Sequence, residues 1–537
     1  MSRVALPLIL LLVLAVHLVM AEPTEPFYNG DETRHVMTGI FVADAITEGG
    51  LWHPKEYAER YYAQYPALGL IVWPPGFYAI EGVTMLAFGR TFETARWLTV
   101  AYCLLMCVYC YRLVTLTHGV PTAVVATLVL AFCREVFFHS RNVMLEVPTL
   151  TFVLMAMLHL ERFLQSARRR DLVLMALGCI LAGLHRYDTV LLILVVAFRI
   201  LFAGRWEVLK QRSVWLAGLV VVSVLAPVYG LAAWEIGGVQ ASAAGTGTDP
   251  TSIRGNRFEQ STYLLATLWA QLGHLPCIAA VVGLLLSFRK NNRAKSAPYW
   301  SLTLGTFLFF SPLAEQESRH AIFWLPAWCV WAADAALCLS RFRIPLALVV
   351  IGGAMFWTLK QPVPWVRGYG DAASYLLEAH EPGPAILFFD GHLSGTMIYE
   401  LRTRDANREL WVLRSDKLLY AAKSDPSHGY IEHVADRDAM VKRLIEVAPD
   451  YIVIEEPRAR TDTPMARRLR DYLKSDQTAF ALVAAFEVHH NNLEWLDGVT
   501  IQIYKSRRNH SEGERRIRIP MLWQGGAIDA VIPPSTP

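Results

Sequence analysis

The sequence predicts a polytopic α-helical membrane protein that ends in a smaller α/β domain. Of its 537 residues, 54% are hydrophobic and 18% are charged, whereas soluble domains average about 45–50% and about 25%. Blocks of roughly 16–25 apolar residues, long enough to cross a bilayer, recur up to about residue 360. This pattern excludes a soluble globular protein, a disordered chain and a disulfide scaffold. The net charge of +3 gives a nucleic-acid partner no electrostatic support.

The predicted membrane domain occupies residues 1–360 and contains about eleven transmembrane helices, each needing about 20 apolar residues. The candidate spans are residues 4–20, 96–116, 120–138, 147–164, 172–186, 188–203, 213–234, 261–287, 298–313, 320–340 and 344–360. The first span could instead be a signal peptide, because Val19-Met20-Ala21 offers small residues near a cleavage point. An uncleaved first helix is the preferred interpretation.

Basic residues predict the orientation of these spans, because Lys and Arg collect in short cytoplasmic loops. Clusters such as Arg168-Arg169-Arg170 follow even-numbered spans only. The N-terminus is therefore predicted to be cytoplasmic and the C-terminal region extracytoplasmic, in a bacterial inner or plasma membrane. The parity requires that residues 74–89 do not cross. Residues 77–88 are apolar but short and contain Glu81, which favours a helix lying in the interface within a long first outer loop, residues 21–95.

The C-terminal region has a different pattern. Residues 361–508 contain short apolar runs separated by helix-like stretches, which predicts an extracytoplasmic α/β domain. The tail, residues 509–537, is basic and then rich in Gly and Pro, and we expect it to be loosely ordered. His489-His490 suggests a metal ligand pair, but without a third ligand nearby we expect a surface turn.

Ionisable residues cluster on the predicted outer face. They are Asp31 and Glu32 in the first loop, Arg141 and Glu146 in the second, His185 and Arg186 in the third, and Glu315, Arg319 and His320 before the tenth span. Ionisable groups at membrane depth are costly and usually functional. Arginine binds phosphate oxygens bidentately, and a carboxylate can accept a proton from a hydroxyl. The set therefore suggests chemistry on a phosphate, although loop charges could also be merely solvated or paired with one another.

Several motifs in this set resemble those of a known family. The matching residues are Asp31-Glu32, the run Trp73-Pro74-Pro75-Gly76-Phe77-Tyr78, Arg96, Arg141 with Glu146-Val147-Pro148, and Arg319-His320 followed by Leu325-Pro326. Over roughly residues 5–340, their order and spacing resemble the integral-membrane glycosyltransferases of the GT-C fold. The most similar branch contains the protein O-mannosyltransferases and the lipid A aminoarabinose transferase, which are related to family 39.

The resemblance implies a donor sugar carried on a polyprenyl or dolichyl phosphate and transfer outside the cytoplasm. It implies that Asp31 is the catalytic residue, and that Glu32, Arg141 and Glu146 contribute to substrate binding. Two positions depart from the family pattern. Position 146 is Glu where relatives often have Asp, which keeps a carboxylate, whereas Trp73 replaces the usual His and puts any His-dependent role there in doubt.

The sequence thus predicts a glycosyltransferase that moves a sugar from a polyprenyl-phosphate donor to an extracytoplasmic lipid, glycan or protein. Asp31 would act as the base, while Glu32, Arg141, Glu146, His185, Arg186, Arg319 and His320 would bind substrate. Its partners would be the lipid-linked donor, membrane lipids and an unidentified acceptor. No cofactor is required. A divalent metal is a possible addition, but the clustered residues form no recognisable ligand set for one. The alternatives are a transporter or flippase of lipid-linked sugars and an inactive relative that binds lipid phosphate.

Overall fold

The computed structural model of the protein describes residues 2–243, 257–313, 317–422, 430–458, 462–475, 479–507, 514–521 and 526–533. It divides into two compact units. The helical unit contains Met1–Ala21, Leu70–Ile80 and Arg96–Val363. The sheet unit contains Glu22–Gly69, Glu81–Ala95 and Pro364–Pro537.

The bounds of the elements are as follows. The α-helices of the described residues are α1 (Ser2–Val19), α2 (Asp31–Thr47), α3 (Pro54–Gln64), α4 (Gly76–Phe88), α5 (Phe92–His118), α6 (Val120–Ala131), α7 (Arg134–His139), α8 (Glu146–Ser166), α9 (Arg169–His185), α10 (Leu192–Ala203), α11 (Arg212–Ala243), α12 (Arg257–Leu272), α13 (His274–Ser287), α14 (Lys290–Phe310), α15 (Leu325–Leu337), α16 (Arg343–Leu359), α17 (Tyr369–Ala379), α18 (Ser394–Arg404), α19 (Ser415–Leu418), α20 (Arg437–Val447) and α21 (Pro464–Ser475). The strands are β1 (Val366–Arg367), β2 (Ala385–Asp390), β3 (Leu410–Arg414), β4 (Tyr420–Ala422), β5 (Tyr430–Glu432), β6 (Tyr451–Glu456), β7 (Phe480–Glu487), β8 (His489–His490), β9 (Thr500–Ser506), β10 (Arg515–Met521) and β11 (Gly526–Ile532).

Three helices of the described residues are long and apolar enough to cross a membrane: Phe92–His118, Glu146–Ser166 and Arg212–Gly237. They differ in burial. In its most apolar window, α8 is 94% buried, whereas the corresponding window of α11 is 6% buried. Because α11 exposes Leu216, Leu219 and Trp234, its surface suits lipid rather than water. Helix α8 is instead surrounded by protein. Packing on all sides therefore holds both of its ends in fixed places within the helical unit.

The structure divides one predicted span in two. Residues 261–287 were expected to form a single helix, but α12 ends at Leu272 and α13 begins at His274. The residue between them, Gly273, has φ of 83°, a conformation that glycine adopts at little cost and other residues avoid. A side chain there would also overlap Trp357. Hydropathy alone does not show this break, because both halves are apolar, and the count of eleven spans stays a prediction.

The sheet unit is built on a five-stranded sheet in the order β3-β2-β6-β9-β7. Strands β3, β2 and β6 are parallel, and β9 runs antiparallel to both of its neighbours. Strand β2 is buried along its whole length, as expected for a parallel strand covered on both faces. Helices α18 and α20 fall between the parallel strands in the chain, which is the arrangement of crossover connections.

The first part of the first loop, Glu22–Gly69, packs on this sheet within the same unit. The Gln64 amide donates to the carbonyl of Arg408 over 2.6 Å, and Ala63 belongs to the hydrophobic core. The backbone N–H of Glu25 bonds the carbonyl of Val366 over 2.9 Å. The loop is therefore anchored by hydrogen bonds and core contacts to residues far away in the chain.

Two C-terminal expectations are corrected. The tail was expected to be loosely ordered, but β10 and β11 pair as an antiparallel hairpin. Its alternating residues Ile517 and Ile519 are buried in the core of the sheet unit, so apolar burial holds the hairpin in place. His489-His490 was expected in a surface turn, but it forms β8 and pairs with β1.

Candidate active site

The buried carboxylate of Glu146 is the centre of a charged cluster in the helical unit. Glu146 is the first residue of α8 and is 1% exposed. Its Oε1 accepts a hydrogen bond from Arg186 Nη1 and lies 3.8 Å from Arg319 Nη1. Its Oε2 lies 3.9 Å from His139 Nδ1. A carboxylate without water would be strongly disfavoured, so the guanidinium groups of Arg186 and Arg319 are what allow the charge to remain there.

Arg186 is held in a fixed direction by a second carboxylate. Its Nε and Nη2 contact Asp188 over 3.1 and 2.6 Å, a two-pronged contact that suits the planar guanidinium. The backbone of Arg186 is extended, with φ of −147° and ψ of 142°, because α9 has ended at His185. The side chain can therefore turn towards Glu146 as the chain enters the short helix Tyr187–Leu191.

Arg319 and His139 are positioned in the same way by neighbouring acids. Arg319 Nε lies 2.6 Å from Glu317 Oε2, and His139 Nε2 lies 3.1 Å from Glu135 Oε1. The hydroxyl of Ser318 donates to that same oxygen of Glu135 over 3.2 Å. Ion pairs and hydrogen bonds thus link three segments of the helical unit in one continuous network: residues 135–146, 186–188 and 317–319.

Arg141 is buried near this network but is oriented by other contacts. Its guanidinium carbon lies 5.7 Å from the centre of the Phe137 ring, a cation–π distance. Its carbonyl accepts a hydrogen bond from Arg96 Nε over 3.1 Å. The neighbouring Ser140 hydroxyl lies 2.8 Å from His17 Nε2, so helix α1 also supports this turn.

The two predicted histidines have different surroundings. His185 is fully buried among aromatic rings, with its Nε2 3.2 Å from the Tyr102 hydroxyl and its ring centre 4.9 Å from that of Phe152. None of its described contacts is with Glu146, because its Nδ1 lies 2.7 Å from the Leu181 carbonyl and its Nε2 contacts Tyr102. His320 stacks on Phe310 and accepts the backbone N–H of Glu317 over 3.2 Å. Glu315 lies outside the described residues.

The first-loop acids belong to the sheet unit and play visibly different parts there. Asp31 opens α2, and its Oδ1 lies 3.5 Å from Arg34 Nη1. Glu32 is 1% exposed, and its Oε2 accepts the backbone N–H groups of Phe27 and Tyr28, each over 3.0 Å. Glu32 therefore fixes the turn that presents Asp31, which is the more exposed of the two.

A second buried charge network in the sheet unit was missed by sequence reasoning. Asp44 is 1% exposed and lies 2.9 Å from Arg90 Nε and 3.1 Å from Arg408 Nη2. It also accepts hydrogen bonds from Arg402 and from the Tyr61 hydroxyl. The available signal was an acid within the apolar run of α2. The network ties the first loop to α18.

Electrostatic shifts in the sheet unit follow from these contacts. Burial opposes ionisation of Glu48, yet donation from Arg408 holds the pKa of Glu48 below its ordinary value. Glu81 has no such partner. It is fully buried, neither oxygen has a hydrogen-bond partner among the described residues, and burial raises its pKa well above the usual range. The carboxyl lies against Gly39, where any side chain would overlap it.

Within the described ranges, no group of three or more His, Cys, Asp and Glu side chains is arranged to hold a metal ion. The cluster around Glu146 contains arginines balanced against carboxylates, and guanidinium groups suit a phosphate-bearing ligand.

Comparison with known proteins places this architecture. A crystal structure of ArnT from Cupriavidus metallidurans bound to undecaprenyl phosphate superposes with a TM-score of 0.61 at 15% identity, covering 93% of this chain and 97% of that one. The chain has the GT-C fold. Residues 73–230 match the family model described as dolichyl-phosphate-mannose-protein mannosyltransferase. The resemblance noted in the sequence is thereby confirmed for the GT-C fold.

Other GT-C structures are similar over most of the chain. The Archaeoglobus fulgidus oligosaccharyltransferase in its apo form gives a TM-score of 0.56 at 11% identity, covering 84% of this chain and 69% of that one. The mycobacterial arabinofuranosyltransferase AftD gives 0.51 at 14% identity, covering 96% and 40%. No curated protein matches the sequence.

Proposed function

We propose that this GT-C protein is a membrane glycosyltransferase that transfers a sugar from a polyprenyl-phosphate donor to an extracytoplasmic acceptor. The observation that carries the proposal is the buried cluster of Glu146, Arg186 and Arg319 at the start of the core helix α8. Glu146 and Arg186 lie within the stretch that matches the mannosyltransferase family model. The undecaprenyl phosphate bound by the similar ArnT structure supports the donor class.

The arginines have a specific task in this reaction. When the sugar–phosphate bond breaks, the lipid phosphate leaves with an additional negative charge. Guanidinium groups that are already oriented stabilise such developing charge without reorganisation. Arg319 and Arg141 are the groups that we assign to this task. Arg186 and Arg319 each contact two carboxylates, but Arg186 hydrogen-bonds to Glu146 whereas Arg319 lies 3.8 Å from it. We therefore assign Arg186 a positioning part.

The acceptor must lose a proton as it attacks the anomeric carbon. We assign Asp31 as the base that accepts this proton. It stands at the N-terminus of α2 and is held in place by the turn that Glu32 fixes. The acceptor oxygen or nitrogen forms the new glycosidic bond, and the bond to the phosphate breaks. A phosphate leaving group needs no general acid if its charge is matched, so one carboxylate suffices.

A transfer assay with the purified full-length protein tests this proposal. A panel of polyprenyl-phosphate sugars would be offered together with envelope acceptor fractions, and release of the lipid phosphate and labelling of the acceptor would be measured. Both are expected with one donor. Movement of an intact donor across proteoliposomes without release would indicate a flippase, and binding without either process would indicate an inactive relative.

A further inference from the structure

A polar cavity lies at the far end of α8 from Glu146. Its volume is about 360 Å³, and it is lined by His159, Arg162, Gln165, Ser166, Arg168, Arg170, Asp171 and Leu174. Because α8 has 21 residues and an α-helix rises 1.5 Å per residue, the cavity is roughly 30 Å from the Glu146 cluster. It is a separate site within the helical unit, and the basic clusters predict that it faces the cytoplasm.

The walls of the cavity are set by a tight helical hairpin. Helix α8 ends at Ser166, Ala167 adopts a left-handed conformation with φ of 53°, and α9 begins at Arg169. Further along, Gly178 approaches the backbone of Ala156 so closely that an added methyl group would overlap it. The two helices are therefore locked together, and the cavity at their junction is preformed.

The cavity carries positive charge that pairs with no acid among the described residues. Arg162, Arg168 and Arg170 make no ion pair among the described residues. The adjacent acid Glu161 is already paired, because Arg199 contacts both of its oxygens, with Nη2 to Oε2 at 2.7 Å. An array of unpaired guanidinium groups around a partly open polar cavity is a surface for an anion.

A buried histidine supplies a further polar contact. His159 is 7% exposed, and its Nδ1 lies 2.9 Å from Asp171 Oδ1. This contact engages Asp171, the acidic residue that lines the cavity, and fixes the orientation of the His159 ring. The other ring nitrogen, Nε2, has no partner among the described residues. Because His159 lines the cavity, this nitrogen can hydrogen-bond to a ligand there.

We propose that this cavity binds the phosphate headgroup of an anionic phospholipid from the cytoplasmic leaflet. The arginines match a phosphate in charge and geometry, and basic pockets between membrane helices are known to bind such headgroups. The surface beside the cavity indicates that the phosphate belongs to a lipid. Leu174 lines the cavity, and Val173 and Leu177, one helical turn apart on α9, are exposed apolar side chains. Acyl chains can lie along that face while the headgroup occupies the arginines.

Lipid binding to the full-length protein in zwitterionic detergent tests the proposal. Phosphatidylglycerol and phosphatidylcholine would be titrated separately, and bound lipid would be counted by native mass spectrometry. The variant with Arg162→Gln, Arg168→Gln and Arg170→Gln is expected to lose phosphatidylglycerol affinity by tenfold or more. Arg168→Gln alone should lose about threefold, because a charge pair at an exposed turn is screened by solvent and contributes little. This single variant keeps the test valid if the triple variant does not fold.

The matched control removes the same charge elsewhere. Arg205→Gln, Lys210→Gln and Arg212→Gln together neutralise another cluster on the same predicted side, where the side chains are exposed. This control should change affinity less than twofold. Equal losses in both sets would show binding to diffuse surface charge and overturn the site. Displacement of the lipid by inorganic phosphate at equal concentration would overturn the assignment to a lipid headgroup.

Discussion

Arg319 Nη1 lies 3.8 Å from Glu146 Oε1, the same carboxylate oxygen that accepts a hydrogen bond from Arg186. The two arginines come from different loops, so one buried carboxylate holds two cations that would otherwise repel each other. This pairing gives Glu146 an electrostatic role in the resting protein. It also leaves Arg319, which is less tightly held by Glu146 than Arg186 is, as the group that can turn towards a phosphate.

Replacement of Glu146 should separate its charge from its shape. Glu146→Gln leaves two guanidinium groups around a neutral amide, so we expect the free energy of unfolding to fall by about 1.5–3 kcal/mol and transfer to fall with it. Glu146→Asp keeps the charge and is expected to retain most activity. Thermal unfolding in detergent and the transfer assay measure the two effects. Full activity in the Gln variant would contradict this role.

The two arginines assigned to the phosphate should matter for the donor. Arg141→Ala and Arg319→Ala each remove a charge-assisted contact, which is worth about 1.5–3 kcal/mol or on the order of tenfold to a hundredfold in donor affinity. Lys295→Ala removes an exposed cation on the predicted cytoplasmic side and is the control. Donor titrations at fixed acceptor would measure the difference. Similar losses for all three variants would remove Arg141 and Arg319 from the site.

Asp31 is the residue on which transfer is expected to depend most strongly. Asp31→Asn keeps the shape and the start of α2 but removes the base, so transfer should fall by roughly 100-fold or more while folding is unchanged. Asp31 is the first residue of α2 and follows the N-cap Gly30, so a purely structural Asp31 would contribute only about 0.3–1 kcal/mol through the helix dipole. Its replacement by Asn would then leave transfer near normal. Initial rates at matched expression distinguish the two. Glu32→Gln should instead lower stability, because Glu32 accepts two backbone N–H groups.

Glu81 should make stability depend on pH. Burial raises its folded-state pKa above the ordinary value of 4.5, so the folded protein keeps a proton that the unfolded chain releases. Its contribution is therefore most favourable below about pH 4.5 and declines as pH rises towards the folded pKa, by up to about 1.4 kcal/mol per pH unit. Glu81→Gln cannot ionise. We expect the stability difference in favour of the Gln variant to grow between about pH 5 and pH 8.

Unfolding curves at several pH values measure that difference. Gly39→Ala is a second check, because its methyl group would overlap the Glu81 carboxyl and should destabilise the protein at every pH. A constant difference between wild type and Glu81→Gln across the range would show that Glu81 is not protonated in the folded state.

The predicted orientation can be measured directly. With Cys338→Ser removing the exposed native cysteine, Ser166→Cys and Glu381→Cys place single accessible thiols in the exposed turn after α8 and on the sheet unit. A membrane-impermeant thiol reagent should label Glu381→Cys from outside and Ser166→Cys only after permeabilisation, because basic clusters remain cytoplasmic. Labelling of both from one side would refute the assignment.

Parts of this molecule follow from local sequence. The apolar blocks of residues 1–360 predicted helices, and helices are found there, because a run of apolar residues must satisfy its backbone hydrogen bonds internally. The polar motifs around Asp31, Glu146 and Arg319 carried the resemblance to the GT-C fold. Each of these features depends on residues that are close together in the sequence, so it can be predicted without knowledge of distant contacts.

Only the tertiary structure decided which of these residues meet. Adjacent in the chain, His185 faces aromatic rings while Arg186 reaches Glu146, because the helix ends between them and side-chain direction changes. Hydropathy could not locate the break at Gly273 or the hairpin at Ile517, since a φ angle and a buried partner are not composition. The first loop is likewise held by Asp44, which forms ion pairs with Arg402 and Arg408, two residues far away in the chain. Long-range packing, unlike helix formation, depends on both partners at once, and a local pattern contains only one of them.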